Sequence, residues 1–401
     1  MSDMNAKHVI EALRSGIPSR LTGRYFSESR PAIIKRMKNA LDDLSAGGKS
    51  GGMIIRGKYG EGKTHLMNTV FNLAQERNMV VSMISLSKET PFDKLHEVYG
   101  KLMANTYLPQ REQPGFLHEM EGRLNDSKFV SELSLYASTE LECNKLYYLL
   151  KTLIREDEEE QKDRLEADLM GDFLLSSELK REYRRLYKEP AKFNENFAKT
   201  KHIMDYYHFM SRLFELLGYQ GWVILVDEAE LIGRFSKKAR LRSYESMAEL
   251  LMPKDTLHSV FTLFAFTASY IEDVIETKHD FENLAELYPG NEEPVKSVLN
   301  QIVKSQQLVP LSKSEIHSVI DRIIDFHRQA YDWKLDINRD EIVTKAEKSG
   351  ALLRTKLRTA IELLDQLYQY GDVQGIQIDE LSKETYTEEE IPDLIMEMME
   401  N

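Results

Sequence analysis

A single cysteine, Cys143, in 401 residues leaves no partner for an internal disulfide. Without paired-cysteine spacing, and with no H-E-x-x-H among the ten histidines, nothing points to a structural or catalytic zinc. A lone cysteine inside a helical stretch reads as packing and is assigned no role. Long hydrophobic runs are missing too. No uncharged apolar stretch reaches the roughly 20 residues that a bilayer span requires, and the first residues carry no signal-peptide core. The expectation is a cytoplasmic protein without membrane contact. Positive charge is also in deficit, the formal net charge being -13, which argues against nonspecific wrapping around nucleic acid. A local basic patch remains compatible with that balance. Arg234, Lys237, Lys238, Arg240 and Arg242 form one basic cluster, while Asp157-Glu158-Glu159-Glu160 concentrates negative charge elsewhere. Both runs read first as solvated helix faces.

What is present is an ordinary globular composition, 42% hydrophobic and 30% charged, over a length that suits two or three domains. Its most informative segment is Gly57-Lys58-Tyr59-Gly60-Glu61-Gly62-Lys63-Thr64, a G-x-x-x-x-G-K-[ST] phosphate-binding loop. Gly52 to Arg56 reads as a buried strand before it, and Leu66, Met67, Val70, Phe71 and Ala74 recur at helical spacing after it. A strand-loop-helix context is the one in which such a loop works. Glycines let successive N–H groups turn toward phosphate oxygens, and the helix that follows offers them the positive end of its dipole. Lys63 is expected on the β- and γ-phosphates and Thr64 on Mg²⁺, with Gly57 to His65 as the nucleotide-binding stretch.

A second motif lies far downstream, in Trp222-Val223-Ile224-Leu225-Val226-Asp227-Glu228. The apolar run fits a strand buried on both faces, with two carboxylates at its C-terminal end. In this Walker B reading Asp227 serves the Mg²⁺ shell, largely through water, and Glu228 orients or deprotonates the attacking water. Two further strands are expected at 79–86 and 260–267. Strands alternating with helices imply an α/β fold, a parallel sheet flanked by helices.

The remaining pattern is helical. Residues 1–50 read as a helical lead-in, with Val9, Ile10, Leu13 and Ile17 on one face and Ile33, Ile34, Met37 and Leu41 on another. The core at 51–305 is interrupted at about 101–217 by a long interval with no strand signal, read as an ordered helical insertion. Its tyrosines, including Tyr147, Tyr148, Tyr183, Tyr187, Tyr206 and Tyr207, read as core packing before base stacking. Ser312-Lys313-Ser314-Glu315 is a capping-box start to a helical region at 306–371, in which Leu352 to Tyr370 forms a later helix. Residues 372–401 read as an acidic tail.

Three segments in order carry a family resemblance: Val9 to Arg20 (VIEALRSGIPSR), Gly57 to Leu66 (GKYGEGKTHL) and Ser85 to Pro91 (SLSKETP). Together they resemble the BrxC/BrxD family, P-loop ATPases of bacteriophage exclusion (BREX) systems related to AAA+ and origin-recognition type ATPases. The length suits the shorter, BrxD-like members. The resemblance implies ATP and Mg²⁺ as cofactors, a C-terminal helical lid over the nucleotide, and action beside DNA and a helicase, nuclease or methyltransferase partner in phage defence. It also implies a homo-oligomer. By likeness to related AAA+ proteins, Arg354, with Arg358 as competitor, would sense the γ-phosphate from the lid. Thr267, with Ser269 next, would position the attacking water. Arg240 or Arg242 would supply an arginine finger to a neighbouring subunit. The leading expectation is therefore an ATP-hydrolysing switch or remodeller on DNA. One alternative is a slow-turnover ATP-dependent adaptor that recruits a helicase or nuclease. A small-molecule phosphotransferase comes third, because the Asp227-Glu228 pair favours water over an acceptor hydroxyl.

Overall fold

A computed structural model of the chain describes residues 3–15, 19–27, 30–253, 257–287, 290, 292–333, 337–350 and 352–371. Ile17 and the acidic tail from Asp372 onward lie outside the described residues. Six strands form one sheet: β1 (Gly51–Gly57), β2 (Val80–Ser85), β3 (Thr106–Tyr107), β4 (Trp222–Asp227), β5 (Val260–Thr267) and β6 (Gln306–Gln307). Their order is β3-β2-β4-β5-β1-β6, parallel throughout except for the antiparallel pair of β2 with β3.

The sheet forms because its central strands are apolar on both sides. All of β4 is buried, as are the first seven positions of β5, and a strand enclosed by two helical layers cannot carry the polar alternation of a half-exposed one. Alternation still decides which layer each residue meets. Val223 and Leu225 join Ile55, Val81 and Leu263 against the helices Pro31–Ser45 and Lys63–Gln75, which supply Ile34, Leu41, Leu66 and Val70. Ile224 and Val226 join Ile54, Val80 and Phe264 in the opposite layer, whose core continues into the inserted helices. Gly52 has no room for a side chain, since a Cβ there would lie 2.6 Å from the Thr262 carbonyl oxygen.

The insertion departs from its strand-free expectation. Thr106 and Tyr107 extend the sheet beside β2, and the hydroxyls of Ser82 and Thr106 meet at 2.7 Å. Two residues are too few to show a period of two, which is why neither β3 nor β6 is legible as a pattern. Most of the rest is helical, from Leu117–Glu121 to Ile203–Leu216, and Tyr183, Tyr206 and Tyr207 are buried in its core. Cys143 is buried as well, and burial raises its thiol pKa. A polar cluster is buried there too. Lys145 is buried, with its ammonium against Asp168 at 2.5 Å and 4.1 Å from the centre of the Phe197 ring. Asp168 also accepts from the Tyr206 hydroxyl at 2.5 Å and from the Leu174 amide at 2.7 Å.

The chain divides into two compact units, Gly23–Val309 and a second formed by Met1–Thr22 with Pro310–Asn401. The stretch expected as one lead-in over residues 1–50 is thus divided between them. In the smaller unit the helix Asp3–Ser15 packs on Lys313–Tyr331 and Leu353–Tyr370, burying Val9 and Ile10. Arg14 fixes that packing through the Asp365 carboxylate at 2.8 Å. The same carboxylate accepts from His327 at 2.9 Å, and His327 Nδ1 accepts from the Trp333 indole at 3.0 Å, which sets its tautomer. Ser312 caps Lys313–Tyr331 with both bonds of a capping box.

Because removal of one member of a buried ion pair leaves the other unpaired, Asp168→Ala is expected to lower the unfolding free energy by about 3–5 kcal/mol. Denaturant titration of the two proteins reads this directly, and an unchanged midpoint would contradict it.

Candidate nucleotide site

β1 delivers the candidate phosphate loop and β4 the paired carboxylates, with β5 between them in the sheet. Gly60 and Gly62 adopt φ 75° and 89°, values that L side chains rarely adopt, and they turn the chain from β1 into the helix Lys63–Gln75. The loop closes on itself. The Glu61 amide donates to the Lys58 carbonyl at 3.2 Å, and the Glu61 carboxylate accepts from the Lys58 amide at 2.6 Å. Tyr59 is exposed at its rim.

Lys63 is buried, and its ammonium donates to the Gly57 carbonyl at 3.0 Å. That carbonyl also accepts from the Ala268 amide at 3.1 Å, because Gly57 and Thr267 are paired in register at the ends of β1 and β5. Thr267 is therefore placed beside the root of the loop, with Ser269 two residues on. The Thr64 hydroxyl donates to Asp227 Oδ2 at 2.7 Å, joining two segments 163 residues apart. Asp227 is 2% exposed, and its other oxygen accepts from the Glu228 amide at 2.9 Å.

Glu228 sits at φ 54°, in the left-handed region, where a side chain costs about 1–2 kcal/mol. Its carboxyl is exposed at the mouth of the site, yet partial desolvation and the Asp227 charge raise its pKa against the pull of Lys63 and Arg234. Glu230 begins the next turn and is not anticipated from the sequence. Desolvation pushes its pKa up to about 7 although Lys63 opposes the shift, and its Oε2 is buried without a hydrogen bond among the described residues. The only sequence signal for it is a third carboxylate in the run Asp227-Glu228-Ala229-Glu230.

Other candidates fall elsewhere. The His65 ring bonds the Phe26 carbonyl at 3.3 Å, and burial lowers its pKa. Arg354 belongs to the smaller unit, exposed, with its guanidinium 3.3 Å from the Ser15 carbonyl, and Arg358 is half-buried there. Arg240 is not a solvated arginine. It is 3% exposed and holds the buried Asp280 through Nε at 2.9 Å and Nη2 at 2.6 Å. Tyr244 completes the cluster, donating to Asp280 at 2.9 Å and meeting the Tyr270 hydroxyl at 2.8 Å. A guanidinium committed to its own core cannot also reach into a neighbour, so the finger role expected for Arg240 is withdrawn; Arg242, two residues on, is exposed.

Comparison with known proteins matches residues 1–123 and 147–382 to the family described as BREX system ATP-binding protein BrxC/D. The chain belongs to the BrxC/BrxD family. The match covers nearly the whole length and leaves out 124–146, within the helical insertion, and 383–401. No curated protein matches the chain. ATP binding is thus the property that this family's description names. No described helix is long and apolar enough to cross a membrane.

Arg240→Ala is expected to act on stability, costing about 3–5 kcal/mol by leaving Asp280 buried and unpaired. A thermal melt indistinguishable from wild type would return Arg240 to the list of free surface arginines.

Proposed function

We propose that the chain is a Mg²⁺-dependent ATPase of AAA+ type, an α/β P-loop NTPase whose nucleotide state drives a switch or remodeller on DNA in phage defence. The observation that carries the reading is the 2.7 Å contact of the Thr64 hydroxyl with the Asp227 carboxylate. Two hard oxygen donors meet there beside a phosphate loop, and Mg²⁺ takes such ligands while keeping several waters. Thr64 and Asp227 would hold the cation's shell, and Lys63 would move from the Gly57 carbonyl to the β- and γ-phosphates. Glu228, exposed at the mouth, would orient or deprotonate the attacking water, with Thr267 holding that water from the end of β5. The placement of β5 between the loop strand and the carboxylate strand supports this division of roles.

Residues 51–305 then act as the ATPase core and 306–371 as the lid, with Arg354 as γ-phosphate sensor. Loss of hydrolysis in Arg358→Ala but not in Arg354→Ala would move that role by one turn. A homo-oligomer with Arg242 as finger belongs to the same proposal, as do DNA and a helicase, nuclease or methyltransferase partner. The sequestration of Arg240 favours one competing reading, a slow-turnover adaptor that recruits its partner without moving DNA. ATP turnover stimulated by double-stranded DNA supports the remodeller, whereas tight binding with negligible turnover supports the adaptor.

Lys63→Ala is expected to abolish ATP binding, since it removes the ammonium aimed at the terminal phosphates; unchanged affinity in a nucleotide titration would sink the phosphate-loop reading. Glu228→Gln keeps shape and polarity but not the base. It should bind ATP normally while hydrolysis falls by about 10²–10⁴-fold, and wild-type turnover would remove Glu228 from the catalytic role.

A further inference from the structure

The loop is held from outside by a residue far from either motif. Arg30 donates through Nη2 to the Glu61 carbonyl at 2.6 Å, and through Nη1 to the Val309 carbonyl. Its position is fixed by what surrounds it. The preceding stretch is tied to the loop's helix where the Thr69 hydroxyl donates to the Gly23 carbonyl at 3.1 Å and His65 bonds Phe26. A Cβ at Gly23 would lie 2.7 Å from the Asn68 backbone, so only glycine allows that approach. On the other side Leu308, next to Val309, donates its amide to the Arg56 carbonyl at 2.6 Å. Arg30 therefore spans from the exit of β6 to the crest of the phosphate loop.

The consequence follows from peptide geometry. A planar trans peptide points its C=O and its N–H in opposite directions, and no described peptide is cis. With the Glu61 carbonyl drawn toward a guanidinium, the Gly62 N–H is turned the opposite way. Gly62, at φ 89°, is the last residue before the helix and could otherwise sample either orientation. We propose that Arg30 is a positioning residue for nucleotide binding, presenting the Gly62 amide to the phosphates by anchoring the Glu61 carbonyl. The inference rests on the reading that residues 57–64 bind ATP phosphates.

The test is a titration of the full chain with a fluorescent ATP analogue and Mg²⁺, comparing wild type, Arg30→Met, Arg30→Lys and Lys63→Ala. Arg30→Met keeps the aliphatic stem and removes every donor. It should weaken binding by about tenfold, the scale of one hydrogen bond to a charged group. Arg30→Lys retains one charge-assisted donor for the Glu61 carbonyl and should stay within about threefold of wild type. General destabilisation would not separate those two variants. Wild-type affinity in Arg30→Met, or equal losses in Arg30→Met and Arg30→Lys, would overturn the proposal while loss of binding in Lys63→Ala left the phosphate-loop reading standing. Wild-type affinity in Lys63→Ala would overturn both.

Discussion

The bond between Thr64 and Asp227 depends on a constraint of the sheet: β5 must lie between β1 and β4 and run parallel to both. Register carries that alignment. Gly57 pairs with Thr267, and Val226 with Phe264, so the loop and the two carboxylates emerge at the same C-terminal edge. That edge is where ligands of open α/β sheets bind, because helix N-termini and strand ends converge there. A slip of one residue in β5 would reverse its side chains between the two helical layers, turning Phe264 toward the layer that now receives Leu263 and Ala265. Burial on both faces thus protects the geometry of the site.

The molecule also encloses charge within its packed units. Lys145 with Asp168 in the insertion and Arg240 with Asp280 in the larger unit are buried pairs, and the half-buried Arg14 with Asp365 joins two helices of the smaller unit. Such pairs contribute little net stability, since desolvation offsets most of their attraction, but breaking one leaves a charge without a partner. Each is further satisfied by tyrosine hydroxyls or a histidine: Tyr206 on Asp168, Tyr244 on Asp280 and His327 on Asp365. Arg240 shows how this bears on function, because the same side chain read as a free cation in a basic run is a core contact once Asp280, 40 residues away, is brought to it.

Fold and candidate site were legible to different depths. The four long strands stand out as apolar runs, and the helix Lys313–Tyr331 as a capping box followed by an apolar face. The candidate phosphate loop is visible because phosphate binding of that kind needs glycines and a lysine in one contiguous stretch. Strands of two residues, such as β3 and β6, exceed no pattern threshold. Glu230 and Arg30 owe their surroundings to other elements, and one carboxylate or guanidinium looks like another until those neighbours are known.

Contiguity is the physical dividing line. What the sequence by itself determined is whatever depends on residues adjacent along the chain: the loop and its helix, the alternation of strand and helix, and the apolar run ending in Asp227-Glu228. Only the tertiary structure decided that Thr64 and Asp227 share a hydrogen bond, that Arg240 is sequestered and that Arg30 grips the loop. It also decided that the helix Asp3–Ser15 packs with the C-terminal helices and the helix Pro31–Ser45 with the sheet. Those outcomes depend on which apolar faces bury one another, and such pairings are chosen by the free energy of the whole packed core rather than by any local run of residues.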